Sequence, residues 1–240
     1  MLTQKRNRML IIQAAGLGFD FLTKYRSPQW GALTFHPLTT VYPAVTCTVQ
    51  ASFRTASLPA KHGMISNGVF SRDLKRTYFW EQSAELVSGK RIWGGFRKRG
   101  RRVAMLCWQQ SLGEEVDLVL SPAPIHKHGG GMIEACYSQP EDLYAAVCRK
   151  VGRPFRLADY WGPLASAKSS EWVTAATAAI LTDSQWAPDL CLTYLSALDY
   201  DLQRFGPDHP RARQALAVLF KELDFLLATG DNADSVQLNE

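Results

Sequence analysis

Apolar positions along the chain come in two rhythms. Short unbroken runs at Met9 to Ala15, Val103 to Trp108, Val116 to Leu120 and Leu190 to Leu195 are bounded by charged or turn residues, as strands covered on both faces would be. Glu141 to Val151, Glu171 to Leu181 and Arg211 to Leu227 instead space their apolar residues i, i+3, i+4, which predicts amphipathic helices. In the last of these, Leu216, Leu219, Phe220, Leu223, Leu226 and Leu227 form one stripe. Strands alternating with helices predict an α/β domain on a mostly parallel sheet with helices on both faces. Ligands of such sheets gather at the carboxyl ends of the strands. Val236-Gln-Leu238 looks like the start of another strand, so the sheet is expected to be incomplete within this chain. Residues 1–240 are expected to form one domain, with the stretch 71–161 as an insertion capping the sheet.

Composition narrows the class without naming a function. At 240 residues, with 46% apolar and 20% charged positions, the chain can bury a sizeable core and is not of the disordered kind. The net charge of +5 suits an anionic ligand but is also small enough to serve solubility alone. Cys47, Cys107, Cys136, Cys148 and Cys191 are scattered, odd in number and without a C-x-x-C pair. They suggest neither a disulfide framework nor a zinc cluster, and a reducing cytoplasm fits them best. The basic start, Met1 to Arg8, followed by Met9 to Ala15, is superficially like a signal peptide, but the apolar run is short and reads better as a first buried strand before Gly16-Leu-Gly18. No run approaches the roughly 20 apolar residues that cross a bilayer.

The stretch with the most chemistry is Tyr42 to Gly63, with Asn67 just beyond. Thr46 ends an extended, proline-containing segment and begins a helix, where free backbone N–H groups and the positive end of the helix dipole favour an anion. Phosphate is the natural candidate. Thr46, Thr55, Pro59, His62, Gly63 and Asn67 follow one another in an order that resembles the nucleophile region of the alkaline phosphatase superfamily, in its type I phosphodiesterase/nucleotide pyrophosphatase branch. Ala56 stands where that family usually has glycine. A second stretch, Leu190 to Pro207, reads as a buried strand running into a polar loop that places Asp199 at the strand's carboxyl end. It is similar to the family's metal-binding segment, complete with the aromatic-Gly-Pro turn Phe205-Gly-Pro207.

The resemblance implies an alkaline-phosphatase-like α/β/α sandwich that hydrolyses phosphate mono- or diesters with a threonine nucleophile and two divalent metals, normally zinc. Residue by residue, it makes Thr46 the nucleophile and a metal ligand, Asn67 the donor to a non-bridging oxygen, and Asp199 a ligand of the other ion. Gln203 falls where the family has a histidine ligand, and Ala15 where it has an aspartate. An amide is a poor zinc ligand and alanine none at all. Glu240 is a weak candidate to supply a further carboxylate. The implied partner is a phosphate-ester small molecule or a nucleotide, with no membrane. The alternative is a truncated or degenerate homologue that binds a phosphorylated ligand or a protein without catalysis.

Blander readings stand beside these. A threonine before a helix is most often an N-cap, Asn67-Gly68 alone is a turn signal, and an isolated loop aspartate such as Asp199 is most often solvated. Only the shared order of the residues favours the sharper reading. His126-Lys-His128 before Gly129-Gly-Gly131 lacks the Gly-x-Ser-x-Gly partner of an esterase and reads as a loop. Gly16-Leu-Gly18 lacks the third glycine of a dinucleotide fingerprint. The basic run Arg97 to Arg102 is a third, weaker lead, toward nucleic acid, though such runs are usually solvated turns.

Overall fold

The unbroken apolar runs become the inner strands of one sheet. In the computed structural model, which describes residues 8–127, 129, 132–230 and 236–239, the chain begins with β1 (Met9–Ala14), α1 (Phe19–Tyr25) and the hairpin β2 (Gln29–Trp30) and β3 (Leu33–Thr34). It continues through α2 (Thr46–Thr55), α3 (Pro59–His62), the hairpin β4 (Gly68–Ser71) and β5 (Arg76–Phe79), and α4 (Gly94–Lys98). Then come β6 (Val103–Leu106), β7 (Leu118–Pro122), the hairpin β8 (Ile125–His126) and β9 (Met132–Ile133), and β10 (Cys136–Gln139). Helices α5 (Leu143–Val151), α6 (Leu157–Tyr160) and α7 (Ala167–Leu181) precede β11 (Leu190–Leu195), α8 (Ala197–Phe205), α9 (Pro210–Gly230) and β12 (Val236–Asn239).

The central sheet has the order β10-β7-β6-β11-β1-β12, parallel throughout except at the edge, where β10 runs antiparallel to β7. Strands β6, β7 and β11 are buried along their whole length, as parallel strands covered on both faces must be. Successive side chains of β11 show what covers them. Thr193 Oγ1 lies 2.9 Å from Thr177 Oγ1 of α7, and the next residue, Tyr194, brings its hydroxyl 3.5 Å from Thr46 Oγ1 of α2. Neighbouring side chains of a strand point to opposite faces, so α7 and α2 flank the sheet from opposite sides. The result is the expected α/β/α layering.

Three expectations are adjusted. The stretch 71–161 contributes β6, β7 and β10 to the central sheet itself; of its described strands only those of the hairpins lie outside. Fully buried Val103, Ala104, Met105 and Val119 leave those strands no place but the core. The polar segment after β11 is the helix α8 and not a loop, because Leu198 and Leu202 fall one turn apart and pack inward while Asp199 sits in the first turn, favourable to the helix dipole. Helix α7 starts at Ala167 instead of Glu171. No described helix is long and apolar enough to cross a membrane. All five cysteines are free.

Candidate active site

Strands β1 and β11 end side by side, Ala14 opposite Leu195, and the Ala15 N–H donates to the Leu195 carbonyl at 2.9 Å. The chain then turns sharply at Gly16, whose φ of +75° belongs to the left-handed region, and passes so close to α8 that a Cβ there would lie 2.8 Å from Leu202 Cδ1 and 3.4 Å from Asp199 Cα. This contact brings the β1 turn and Asp199 to the same edge of the sheet, at the carboxyl ends of the strands.

Helix α2 supplies the other wall. Val45 is its N-cap residue, in extended conformation (φ −119°, ψ 153°), and Thr46 is the first residue inside the helix. Thr46 is therefore not an N-cap, and its side chain makes no capping bond. Its hydroxyl lines the cleft beside the Tyr194 hydroxyl, 3.5 Å away. The Cys47 N–H donates to Asn67 Oδ1 at 3.0 Å, which fixes the carboxamide beside Thr46 and leaves Nδ2 available to donate. The first-turn amides of Thr46 and Thr48 have no backbone acceptor among the described residues, as expected of a helix N-terminus.

A chain of amides holds α2 in place. Gln50 Nε2 donates to Gln13 Oε1 of β1 at 2.6 Å, and Gln50 Oε1 accepts from the Gln109 N–H at 2.7 Å. Gln109 Nε2 in turn donates to the Tyr160 hydroxyl at 3.0 Å. At the far end of the helix the buried Arg54 guanidinium donates to the Gln110 carbonyl at 2.6 Å and to Glu114 at 3.2 Å, and also to the Gln109 carbonyl. His62 belongs to the same support. Its Nδ1 accepts from the Met64 N–H at 3.1 Å, so the ring proton is on Nε2 and donates to Ser52 Oγ at 2.8 Å. Burial, and secondarily the Arg54 charge, lower its pKa and keep it neutral. The family-like His62-Gly63 is structural in this chain.

Thr46, Asn67, Tyr194, Asp199 and Gln203 line two adjoining clefts of about 330 and 650 Å³. Trp80 and Trp161 wall the first; Ala15 and Gly16 border the second. Asp199 and Gln203 are one helical turn apart, and the Gln203 amide donates to the Asp199 carboxylate. Burial raises the Asp199 pKa, and the Gln203 bond opposes it. Burial likewise pushes the Tyr194 phenol well up, so it remains protonated.

A family model described as type I phosphodiesterase/nucleotide pyrophosphatase matches residues 11–236. The chain belongs to that family. Murine ectonucleotide pyrophosphatase/phosphodiesterase 5, solved in an inactive form with AMP, superposes with a TM-score of 0.62 at 16% identity, over 97% of this chain and 55% of that one. Phosphonoacetate hydrolase from Sinorhizobium meliloti 1021, in complex with phosphonoacetate, gives 0.63 at 18% identity, over 94% and 54%. The human ectonucleotide pyrophosphatase/phosphodiesterase 5 gives 0.60 at 17% identity, over 96% and 55%. At these identities the likeness is one of fold, alkaline-phosphatase-like, and the chain spans about half the length of the structures it matches. No curated protein matches.

Phosphodiesterase-family proteins generally use divalent metals. The donor set among the described residues does not fit a two-metal centre. Among the described residues no three His, Cys, Asp or Glu side chains converge. The cleft offers two carboxylates, Asp20 of α1 and Asp199, and the latter already accepts from Gln203 and has a raised pKa with no cationic group among the causes. Ala15 contributes only a methyl group, and Glu240 lies outside the described residues.

Thr46, Asn67, Asp199 and Gln203 thus line the same clefts. Tyr194, Gln50 and Arg54 were missed. The signal available for Tyr194 was a phenol near the end of an otherwise apolar strand, and for Gln13, Gln50 and Arg54 polar side chains within elements that had to be buried. The basic run is locally engaged: Arg97 with the Glu115 carbonyl at 2.9 Å, Arg101 with Asp189 at 2.9 Å and Arg102 with the Gln185 carbonyl. The His126 to Gly131 loop falls partly outside the described residues.

Proposed function

We propose that the cleft is a phosphate-ester site. It receives the phosphoryl group of a small phosphate ester or nucleotide at the N-terminus of α2, with the Thr46 hydroxyl facing phosphorus and Asn67 Nδ2 donating to a non-bridging oxygen. The observation that carries this reading is the convergence of Thr46, the first-turn amides of α2 and the oriented Asn67 amide in one cleft at the strands' carboxyl ends. Membership of the phosphodiesterase family, and the AMP and phosphonoacetate bound by structures of the same fold, support this ligand class.

Turnover is the second reading, favoured by Thr46 lying just inside the helix with its side chain uncommitted to a cap. In that reaction Thr46 Oγ1 would form a bond to phosphorus as the bond to the leaving oxygen breaks. The leaving alkoxide takes up a proton, and water then cleaves the threonyl phosphate. A threonine hydroxyl is weakly nucleophilic without a base or cation beside it, and Ala15 and Gln203 remove two groups that would help. Binding without turnover is therefore the conclusion for this chain.

Calorimetric titration with AMP tests it, comparing wild type with Thr46→Ala and Asn67→Ala. Both variants are expected to bind about tenfold more weakly; equal affinity in all three removes the cleft as the phosphate site. Release of an aryl phosphodiester product, with zinc present, by wild type but not by Thr46→Ala would establish the second reading.

A further inference from the structure

Two clefts meet at Thr46. Thr46, Asn67, Tyr194, Asp199 and Gln203 line both, so a phosphoryl group held at the start of α2 has a space on either side of it. The smaller is walled by Trp80 and Trp161. The larger, of about 650 Å³, opens between the β1 turn, the start of α1 and the segment 37–45, and an ester with a single substituent leaves one of the two unfilled. Leu17, Phe19, Leu38, Val45 and Val49 contribute to the walls of the larger cleft. Leu38 is 66% exposed although it borders the cleft, and an apolar group of a ligand would cover it.

Charge decides what suits this larger space. Asp20 and Asp199 line it, and no lysine, arginine or histidine does so among the described residues. Lys24, one turn beyond Asp20 in α1, is bound to Asp208. Asp199 accepts from Gln203, a neutral amide. A second phosphoryl group placed here would meet two carboxylates and no cation, and would lose hydration as well. An aliphatic group would meet methyl and methylene surface instead. Arg204, the one cation bordering the smaller cleft among the described residues, already donates to the Pro163 carbonyl at 3.1 Å, so a polyphosphate is no better served there.

We infer that the ligand is a phosphodiester with two unlike arms: one lies in the smaller cleft, and the second, uncharged and aliphatic, lies against Leu17, Leu38, Val45 and Val49. Nucleoside di- and triphosphates are disfavoured, since their extra phosphoryl groups would have to take the place of that second arm. The inference rests on the phosphate reading of the cleft and adds the identity of the second substituent. It gives the apolar wall a partner that a monoester does not supply.

The test uses the full chain and probes that share one nucleoside phosphate: AMP, ADP, and the methyl and hexyl esters of AMP at its phosphate, in calorimetric titration. The two esters carry the same charge, so the ratio of their affinities isolates the arm. The hexyl ester is expected to bind at least about tenfold more tightly than the methyl ester, a factor that burial of about two methylenes supplies. Leu38→Ser, at an exposed position, should lower that ratio about threefold, and Leu38→Ser combined with Val49→Ser should bring it to about one, with far-UV circular dichroism confirming the fold. ADP should bind no more tightly than AMP to wild type, and Asp20→Asn should raise the affinity for ADP relative to AMP about threefold. Ester binding without a gain from the hexyl arm, an unaltered ratio in the folded double variant, or ADP binding more tightly than AMP would each overturn the inference and leave the phosphate reading standing. Failure of every probe to bind would overturn both.

Discussion

Replacing Arg54 by methionine probes what holds α2, and with it Thr46, against the sheet. Arg54 is fully buried, with a side-chain exposure of 0%, and Glu114 is 2% exposed. Arg91 grips the same carboxylate through Nε at 2.9 and 3.0 Å, so Glu114 keeps one cation when Arg54 is lost. The damage falls on the Gln109 and Gln110 carbonyls, which lose their guanidinium donor in the interior. Each such orphan costs about 1–3 kcal/mol, and breaking a buried ion pair from one side costs about 3–5 kcal/mol. Methionine preserves the apolar stem, so about 3–5 kcal/mol is the expected destabilisation of Arg54→Met. For a chain of this size that lowers the melting temperature by roughly 6–20 °C. Arg91→Met removes a side chain that is 15% exposed and leaves Arg54 in place, so it should cost only about 1–2 kcal/mol. Urea unfolding followed by tryptophan fluorescence and circular dichroism measures both. A cost for Arg54→Met below about 1 kcal/mol, or no greater than that of Arg91→Met, would refute the anchoring role.

Three further outcomes are expected. His62 has a lowered pKa in the folded protein, so the unfolded chain takes up the proton first: stability is flat above the ordinary value of 6.5 and falls as the pH drops below it. Urea midpoints between pH 8 and 5 should therefore fall more steeply for wild type than for His62→Gln; parallel curves contradict this. Glu222 has the opposite sign. With its carboxyl at about 8 against 4.5 in the ordinary case, the folded state holds the extra proton and stability declines as pH rises through that window. Glu222→Gln should match wild type near pH 5 and exceed it by roughly 2–4 kcal/mol at pH 9, measured by the same titration. Finally, Ala56 closes α2 in the left-handed region (φ 47°, ψ 41°), which costs a non-glycine residue about 1–2 kcal/mol. Ala56→Gly should stabilise by about 0.5–1 kcal/mol after the extra chain entropy of glycine, and a loss of stability in the denaturation midpoint would contradict it.

Much of this architecture was legible because burial on both faces writes itself as an unbroken apolar run. Val103 to Leu106 and Leu190 to Leu195 leave no other reading, and the leucine stripe of α9 is equally plain. Helix α8 was not legible, since only Leu198 and Leu202 join the core and Asp199, Asp201, Gln203 and Arg204 intervene, much as in a loop. The supports of the site were hidden for a related reason. Gln13, Gln50 and Arg54 are polar residues whose partners come from β1, α2 and the turn after β6, and no local pattern relates segments so far apart.

The distinction matters for how His62 and Asn67 are weighed, because both arrived through the same ordered motif. In the structure they separate. His62 spends both ring nitrogens on Ser52 and Met64, inside the turn that follows α2. Asn67 spends only its oxygen, on Cys47, and keeps its amide protons for the cleft. The ordered motif therefore divides into a part that fixes the helix and a part that faces the cleft. Asp199 shows the same division in reverse: the close approach of Gly16 sets it beside the β1 turn, while Gln203, bound to its carboxylate, answers it with a neutral amide. On the proposed reading, Thr46 and the Asn67 amide meet the phosphoryl group, and Ala15 and Gln203 place no charge beside them. With an alanine at 15 and an amide at 203, charge developing on the phosphoryl oxygens would be met by the Asn67 amide and the first-turn N–H groups of α2.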